Sequence, residues 1–216
     1  MKKVLFVLLA ALLIASLAAC AGSKTPDESG AADPASEQTA SATSADPADA
    51  PAPEEPAAAG KTLVVVFSAT GTTKGVAEKI AAIENADLYE IQPEQPYTAA
   101  DLDWHDQNSR TTKEQNDKTA RPAIAGETLS LNGYTKLYIG YPIWWGEEPR
   151  ILDTFAESYD FSGITVIPFC TSGGSGIGRS GQNLADAAGS GNWLNGQRFS
   201  GSVSEHDLQS WIASLQ

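Results

Sequence analysis

Six consecutive residues, Thr62-Leu63-Val64-Val65-Val66-Phe67, form an apolar, largely β-branched run that ends abruptly in the hydroxyl-rich stretch Ser68-Ala69-Thr70-Gly71-Thr72-Thr73. A strand apolar at nearly every position, rather than at alternate ones, is covered on both faces, which is the situation of a central strand in a parallel sheet. From Thr73 to Ile83 the period changes. Val76, Ala77, Ile80, Ala81 and Ile83 fall on one stripe of a helix. A strand, a tight polar turn and a helix is the opening of a βαβ unit.

The same alternation continues along the chain. Asp87–Ile91 alternates and predicts a second strand; Lys136–Tyr141 predicts a third, Ile164–Cys170 a fourth and Gln197–Phe199 a weak fifth. Helices are predicted from Pro149, which suits a first helical turn, from about Ser180 to Ala188, and over Ser204–Leu215, with Ser204 as N-cap. Residues 92–135 are polar and irregular, with one short helix expected around Ser109–Lys118. Strands and helices in this order with these connections make an α/β, doubly wound parallel sheet. Ligands of such sheets bind beyond the carboxyl ends of the strands. The loops at 68–73, 142–148 and 171–178 all follow strands, so they should converge on one rim.

The remaining chain differs sharply in composition. Residues 1–19 begin with Lys2 and Lys3 and continue as an apolar run from Val4 to Ala19, interrupted only by Ser16. That run is shorter than the roughly 20 residues that comfortably span a bilayer, and a basic start followed by a short apolar stretch predicts a secretory signal peptide. Its end, Leu17-Ala18-Ala19-Cys20, resembles the lipobox of bacterial lipoproteins. The resemblance implies a lipid on Cys20 and attachment at the extracytoplasmic face of the bacterial cell membrane. An ordinary signal peptide cut nearby, with Cys20 incidental, is the alternative. Residues 21–60 contain no Leu, Ile, Val, Met or aromatic residue and carry eight acids against one lysine. They cannot bury enough apolar area to offset ordering entropy and predict a disordered tether after Cys20. Its flexible reach would be on the order of 35 Å. Residues 61–216 are left for one globular domain.

Charge narrows the function. The chain has 27 acidic and 14 basic residues, net −13, of which −8 belongs to residues 61–216 with nineteen acids and eleven bases. This balance argues against nucleic acid as a partner, since phosphate neutralisation needs a basic face. Two cysteines and two histidines exclude a disulfide scaffold and give no support to a metal site.

Each of the three loops has a plain reading and a functional one. Ser68–Thr73 could merely cap a helix, or it could hold an anion with backbone N–H groups, hydroxyls and the helix dipole. It lacks the Gly-Lys-Ser/Thr ending of a triphosphate-binding loop. Pro142-Ile143-Trp144-Trp145-Gly146 could plug the sheet end or stack on a planar ring. Thr171-Ser172-Gly173-Gly174-Ser175-Gly176-Ile177-Gly178 could be a flexible linker or could bring backbone amides close to a ring edge.

Anion cradle, aromatic wall and amide-rich edge together meet the needs of a flavin mononucleotide. The segments VVVFSATGTTKGVAEKIA, YIGYPIWWGEEPRILDTF and TVIPFCTSGGSGIG are similar to the flavodoxin family across essentially all of residues 61–216. The resemblance implies a five-stranded parallel sheet of order 2-1-3-4-5 with helices on both faces, and FMN as cofactor. It also implies that Ser68, Thr70, Gly71, Thr72 and Thr73 hold the phosphate. Pro142, Ile143, Trp144 and Gly146, with Trp145 beside them, would lie along the isoalloxazine, and Thr171, Ser172, Gly173 and Gly174 would close the other side. The long 92–135 insertion, with Tyr97, Trp104 and His105, departs from the family pattern, and the third loop is more glycine-rich than in many small flavodoxins.

The expectation is an electron carrier tethered at the membrane, its acidic domain steering a redox partner with a basic docking face. The alternative is an NAD(P)H-dependent FMN quinone or flavin reductase on the same fold, although no basic cluster suited to a 2′-phosphate is evident and Arg121 and Arg179 look isolated. Cys170 reads as a core residue rather than a redox thiol, and His105 and His206 as surface residues. Glu147 and Glu148 flank the ring loop and are either solvated or able to tune a potential.

Overall fold

The structure, a computed structural model, describes residues 60–215. The signal peptide expected at 1–19, Cys20 and all but the last residue of the tether expected up to residue 60 lie outside the described residues. Strand β1 (Lys61–Val66) is followed by α1 (Thr72–Glu84), β2 (Asp87–Glu90), α2 (Arg110–Asn116), β3 (Tyr134–Pro142) and α3 (Arg150–Ser158). Then come β4 (Thr165–Thr171), α4 (Ser180–Ala188), β5 (Asn192–Trp193), β6 (Gln197–Phe199) and α5 (Glu205–Ala213). The sheet is parallel throughout and runs β2-β1-β3-β4-β5, with β6 also on β4.

The two-residue period of the strands sorts the core into two layers. Leu63, Val65, Phe67, Leu137, Ile139 and Tyr141 face Ile151, Leu152 and Phe155 of α3 and Leu184 of α4. Val64, Val66, Tyr138, Ile167 and Phe169 face Val76, Ala77 and Ile80 of α1 and Leu208 and Ile212 of α5. Both faces are covered, which is why the strand sequences show little polar alternation. The second layer leaves no room for a side chain at Gly140: a Cβ there would lie 2.2 Å from Cζ of Phe169.

Most elements match their predicted positions to within a residue or two, and Ser204 caps α5 by accepting from Asp207 N–H. Pro149 precedes α3 as its N-cap rather than opening it. The expected helix at Ser109–Lys118 is shorter, with Ser109 as its N-cap and Asp117 as its C-cap.

The fifth strand needs a fuller correction. Gln197–Phe199 is only the second half of it; the first half is Asn192–Trp193, which the sequence did not indicate. Pro168 explains the break. Its carbonyl points toward the fifth-strand position, 2.8 Å from where a Cβ on Gly196 would sit. The N and C=O of one strand residue point the same way, so proline withholds a donor from that side of the ladder. Leu194 N–H still bonds Val166 O at 2.9 Å, and pairing resumes at Phe169–Gln197.

Candidate functional site

The three loops meet at the carboxyl end of the sheet around a cavity of about 790 Å³. Eleven of the fourteen site residues expected from sequence line it: Ser68, Thr70, Thr72 and Thr73; Pro142, Ile143, Trp144 and Trp145; Ser172, Gly173 and Gly174. Gly71, Gly146 and Thr171 belong to the same loops but do not line the cavity; the two glycines are exposed and Thr171 is buried. Gly71 and Gly146 have φ of 82° and 84°, the left-handed region that glycine enters without a Cβ penalty.

At the first loop, α1 starts with Gly71 as N-cap, no side chain caps its N-terminus, and its first turn has no acidic residue. The first N–H groups of a helix have no partner within it, so this end offers donors and the positive end of a dipole to whatever occupies the cavity. Thr73 is buried, and its Oγ1 lies 2.8 Å from Oγ1 of the equally buried Thr171. That hydroxyl pair ties the first loop to the third. Lys74, the cation nearest in sequence, is turned away and bound to Glu90 at 2.7 Å.

The third loop is held by Arg198 of β6. Its guanidinium donates to Ser172 O at 2.6 Å and to Ser172 Oγ at 3.1 Å. Ile143 N–H bonds Thr171 O at 2.9 Å and links the second loop to the same strand end. A Cβ on Gly173 or Gly174 would meet nothing within 4 Å. The protein's own packing therefore does not demand glycine there, whereas a ligand approaching the backbone would.

The second loop forms a tight turn, with Trp144 N–H donating to Glu147 O at 2.9 Å and Glu147 N–H to Trp144 O at 3.0 Å. Trp144 packs edge-on against Phe67 and Tyr97, at ring-centroid distances of 5.6 and 5.4 Å. Trp145 is 45% exposed, so it is displayed to the cavity rather than plugging the sheet end.

The insertion supplies the rest of the wall. Leu102, Trp104 and Thr111 line the cavity together with Ala69 and Ser175. Ala69 and Ser175 fall within the first and third loops; of the three residues from the insertion, only Trp104 left a signal in the sequence, as a tryptophan in a polar stretch. His105 is exposed and lies against the Trp104 ring. Thr111 is buried, its hydroxyl donating to Asp101 O at 2.6 Å. No lining residue of the cavity carries a charge.

Charge is concentrated behind the second loop instead. Arg150 is buried and bonds Glu147, Asp153 at 3.2 Å and Glu148 at 3.4 Å, while Lys118 also pairs with Glu147. Glu148 is 1% exposed and receives the Asn183 amide at 3.1 Å; burial pushes its carboxyl up to about 7. Glu147 moves the other way, held below its usual value chiefly by Lys118. These two residues are thus neither equivalent nor simply solvated. Arg121 is not isolated, because it makes a two-pronged bond to Glu157 at 2.7 and 2.8 Å. Arg179 is exposed at the N-cap of α4. Cys170 is fully buried, and burial pushes its thiol up to about 12, which removes it as a redox thiol at neutral pH. Among the described residues no cluster of His, Cys, Asp and Glu could hold a metal ion.

A family model described as flavodoxin matches residues 61–215. The chain is 47% identical to a candidate flavoprotein of Bacteroides uniformis, with a TM-score of 0.68, covering 71% of this chain and 98% of that one. It is 45% identical to a corresponding protein of Bacteroides eggerthii, again with a TM-score of 0.68, covering 72% and 98%. A flavoprotein of Lactobacillus acidophilus crystallised in complex with FMN shares the fold at 24% identity and a TM-score of 0.55, covering 71% and 99%. No curated protein matches. An uncapped helix end, an aromatic turn and a glycine-rich strand end on one rim of a 2-1-3-4-5 sheet agree with the family match, and the chain belongs to the flavodoxin family.

Proposed function

We propose that this protein is an FMN-dependent electron carrier, tethered by lipidated Cys20 to the extracytoplasmic face of a bacterial membrane. FMN is the cofactor: the cavity is lined by uncharged hydroxyl residues next to the uncapped start of α1 and by three tryptophans, which suits a phosphate joined to a flat ring. Ser68, Thr70, Thr72 and Thr73 with the α1 N–H groups would take the phosphate. Trp144, Trp145, Pro142 and Ile143 would contact the ring, and Ser172–Gly174 would offer its edge backbone donors. When bound, FMN supplies the redox chemistry; the protein positions it, limits solvent access and sets the surrounding field.

The observation that carries the carrier reading is the absence of charge from the cavity lining. An NAD(P)H-dependent reductase would need groups for a second set of phosphates. Of the cations close to the loops in sequence, Lys74 is paired with Glu90 and Arg110 with Glu114, Arg198 is engaged by Ser172 of the third loop, and Arg179 is exposed beyond that loop. The net −8 of the domain favours a protein partner with a basic face.

The test is the visible spectrum of the FMN-loaded full chain under anaerobic conditions. NADH and NADPH should leave the flavin absorption intact, and a reduced basic redox protein should bleach it, more slowly at high salt. Bleaching by either nicotinamide at a catalytic rate would replace the carrier with the reductase. For the anchor, Cys20→Ala should move the protein from the membrane to the soluble fraction; retention in the membrane would refute lipidation at that residue.

A further inference from the structure

The turn that carries Trp145 has a feature unusual for its sequence. Trp145 and Gly146, its two central residues, have φ of 51° and 84°, and reciprocal backbone bonds join Trp144 and Glu147 across them. Two left-handed residues between such a pair is the pattern of a type I′ turn, which favours Asn-Gly at the centre. Gly146 suits its place. Trp145 does not, because left-handed backbone crowds its Cβ against the following carbonyl. Strained backbone of this kind persists where the surroundings over-determine it.

Side-chain packing does not provide that determination for Trp145, which is 45% exposed and takes part in none of the described aromatic pairs, unlike Trp144. The constraint comes from the insertion. Gln115 of α2 is buried at 5% exposure, and its amide nitrogen lies 3.1 Å from Trp144 O and 3.2 Å from Glu148 O. An amide nitrogen has two protons, one for each carbonyl, and these carbonyls flank the turn on either side. The opposite amide orientation would set oxygen against two carbonyl oxygens, so the donor assignment follows from chemistry. Arg150 closes the loop by donating to Gln115 O at 3.4 Å while pairing with Glu147.

The other half of the amide is informative. Gln115 Oε1 is buried with no hydrogen-bond partner. A buried acceptor without a partner is unfavourable, and an apolar side chain of similar size would fill the space without it. Only the donor half justifies a glutamine here.

We propose that Gln115 is a positioning residue: it clamps both ends of the Trp144–Glu148 turn, holds Trp145 in left-handed conformation, and thereby places the aromatic wall against which the flavin ring rests. The insertion thus acts on the cofactor loop from behind as well as lining the cavity. The clamp itself is a property of the chain without cofactor; its consequence for the ring rests on the FMN reading above.

The experiment separates the two. Amide hydrogen exchange is followed in the full chain without cofactor, comparing wild type with Gln115→Leu and Gln115→Met, which keep the volume and lose the donors. Exchange at the Trp144 and Glu147 amides should accelerate at least about tenfold, the scale implied by losing a hydrogen bond to a buried carbonyl, while β1 and β4 amides stay unchanged. FMN is then titrated in. The variants should bind it about tenfold or more weakly and show diminished visible circular dichroism of the bound ring. In a Trp145→Gly background, where the strain is gone, the Gln115 substitutions should lose most of their effect on exchange. Unchanged exchange at Trp144 and Glu147 overturns the clamp. Accelerated exchange with wild-type FMN affinity and dichroism overturns the positioning role. A wild-type chain that binds no FMN overturns both the flavin reading and the positioning role, while exchange still decides the clamp. Should one variant not fold, the other supplies every readout.

Discussion

Glu148 makes the stability of this domain depend on pH in a direction opposite to that of most paired carboxylates. It is buried at 1% exposure, and its one cationic neighbour, Arg150, is shared with Glu147 and Asp153. Desolvation therefore outweighs attraction, and the carboxyl rises from 4.5 to about 7. Between these values the folded protein keeps a proton that the unfolded chain has released. That stabilisation is complete below about pH 4.5 and is lost as pH rises through 7. At about 1.4 kcal/mol for each pH unit, the window amounts to roughly 3 kcal/mol. Asp153, also raised by burial, acts in the same direction. Glu147, Asp101, Asp117, Glu157 and Asp160 are all lowered, so their contributions vary below this window. Glu148→Gln isolates the effect, because glutamine matches the protonated acid in size and does not titrate. Urea unfolding of both proteins at pH 5, 6, 7 and 8, followed by tryptophan fluorescence, should show the variant gaining on wild type by about 3 kcal/mol from pH 5 to 8. A difference that stays flat to within about 0.5 kcal/mol would show that Glu148 is ionised in the folded state throughout and refute the reasoning.

Three further outcomes are expected. Gly140→Ala puts a Cβ 2.2 Å from the Phe169 ring and should destabilise by about 1–3 kcal/mol in thermal unfolding. Thr73→Val leaves the buried Thr171 hydroxyl without its partner and should cost about 1–3 kcal/mol, whereas Thr73→Val combined with Thr171→Val should recover part of that loss in a double-mutant cycle. With no charge lining the cavity and a net −8 on the domain, FMN affinity measured by fluorescence titration should hold steady or strengthen modestly as salt rises from about 50 to 500 mM; a cation-based phosphate site would weaken.

Glycine and proline mark the two kinds of detail that strand patterns handle unequally. Gly71, between an apolar strand and a helical stripe, was recognisable as a turn residue because its neighbours define what it separates. Pro168 was visible inside the fourth strand, yet its effect falls on a different strand, twenty-odd residues later, where the ladder is interrupted. The same contrast holds at the site. Residues that follow strands were legible because chain order places them on one rim. Leu102 and Thr111 were not, since nothing in a polar, irregular stretch states which part of the sheet it folds onto.

The sequence by itself determined the doubly wound architecture, the three loops and their convergence, because hydrophobic periodicity and turn chemistry are local properties read along the chain. The division of the net −13 between residues 1–60 and 61–216 was equally available from composition. Only the tertiary structure decided how Glu147 and Glu148 differ, that Lys74 pairs with Glu90 rather than lining the cavity, and that Gln115 grips the turn bearing Trp145. Burial and hydrogen-bond partnership depend on residues far apart in sequence: Glu148 meets Asn183, Arg198 meets Ser172, and Gln115 meets Trp144 across 29 positions. Desolvation of a charge and satisfaction of a buried amide are set by what surrounds a group in space, and folding alone assembles those surroundings.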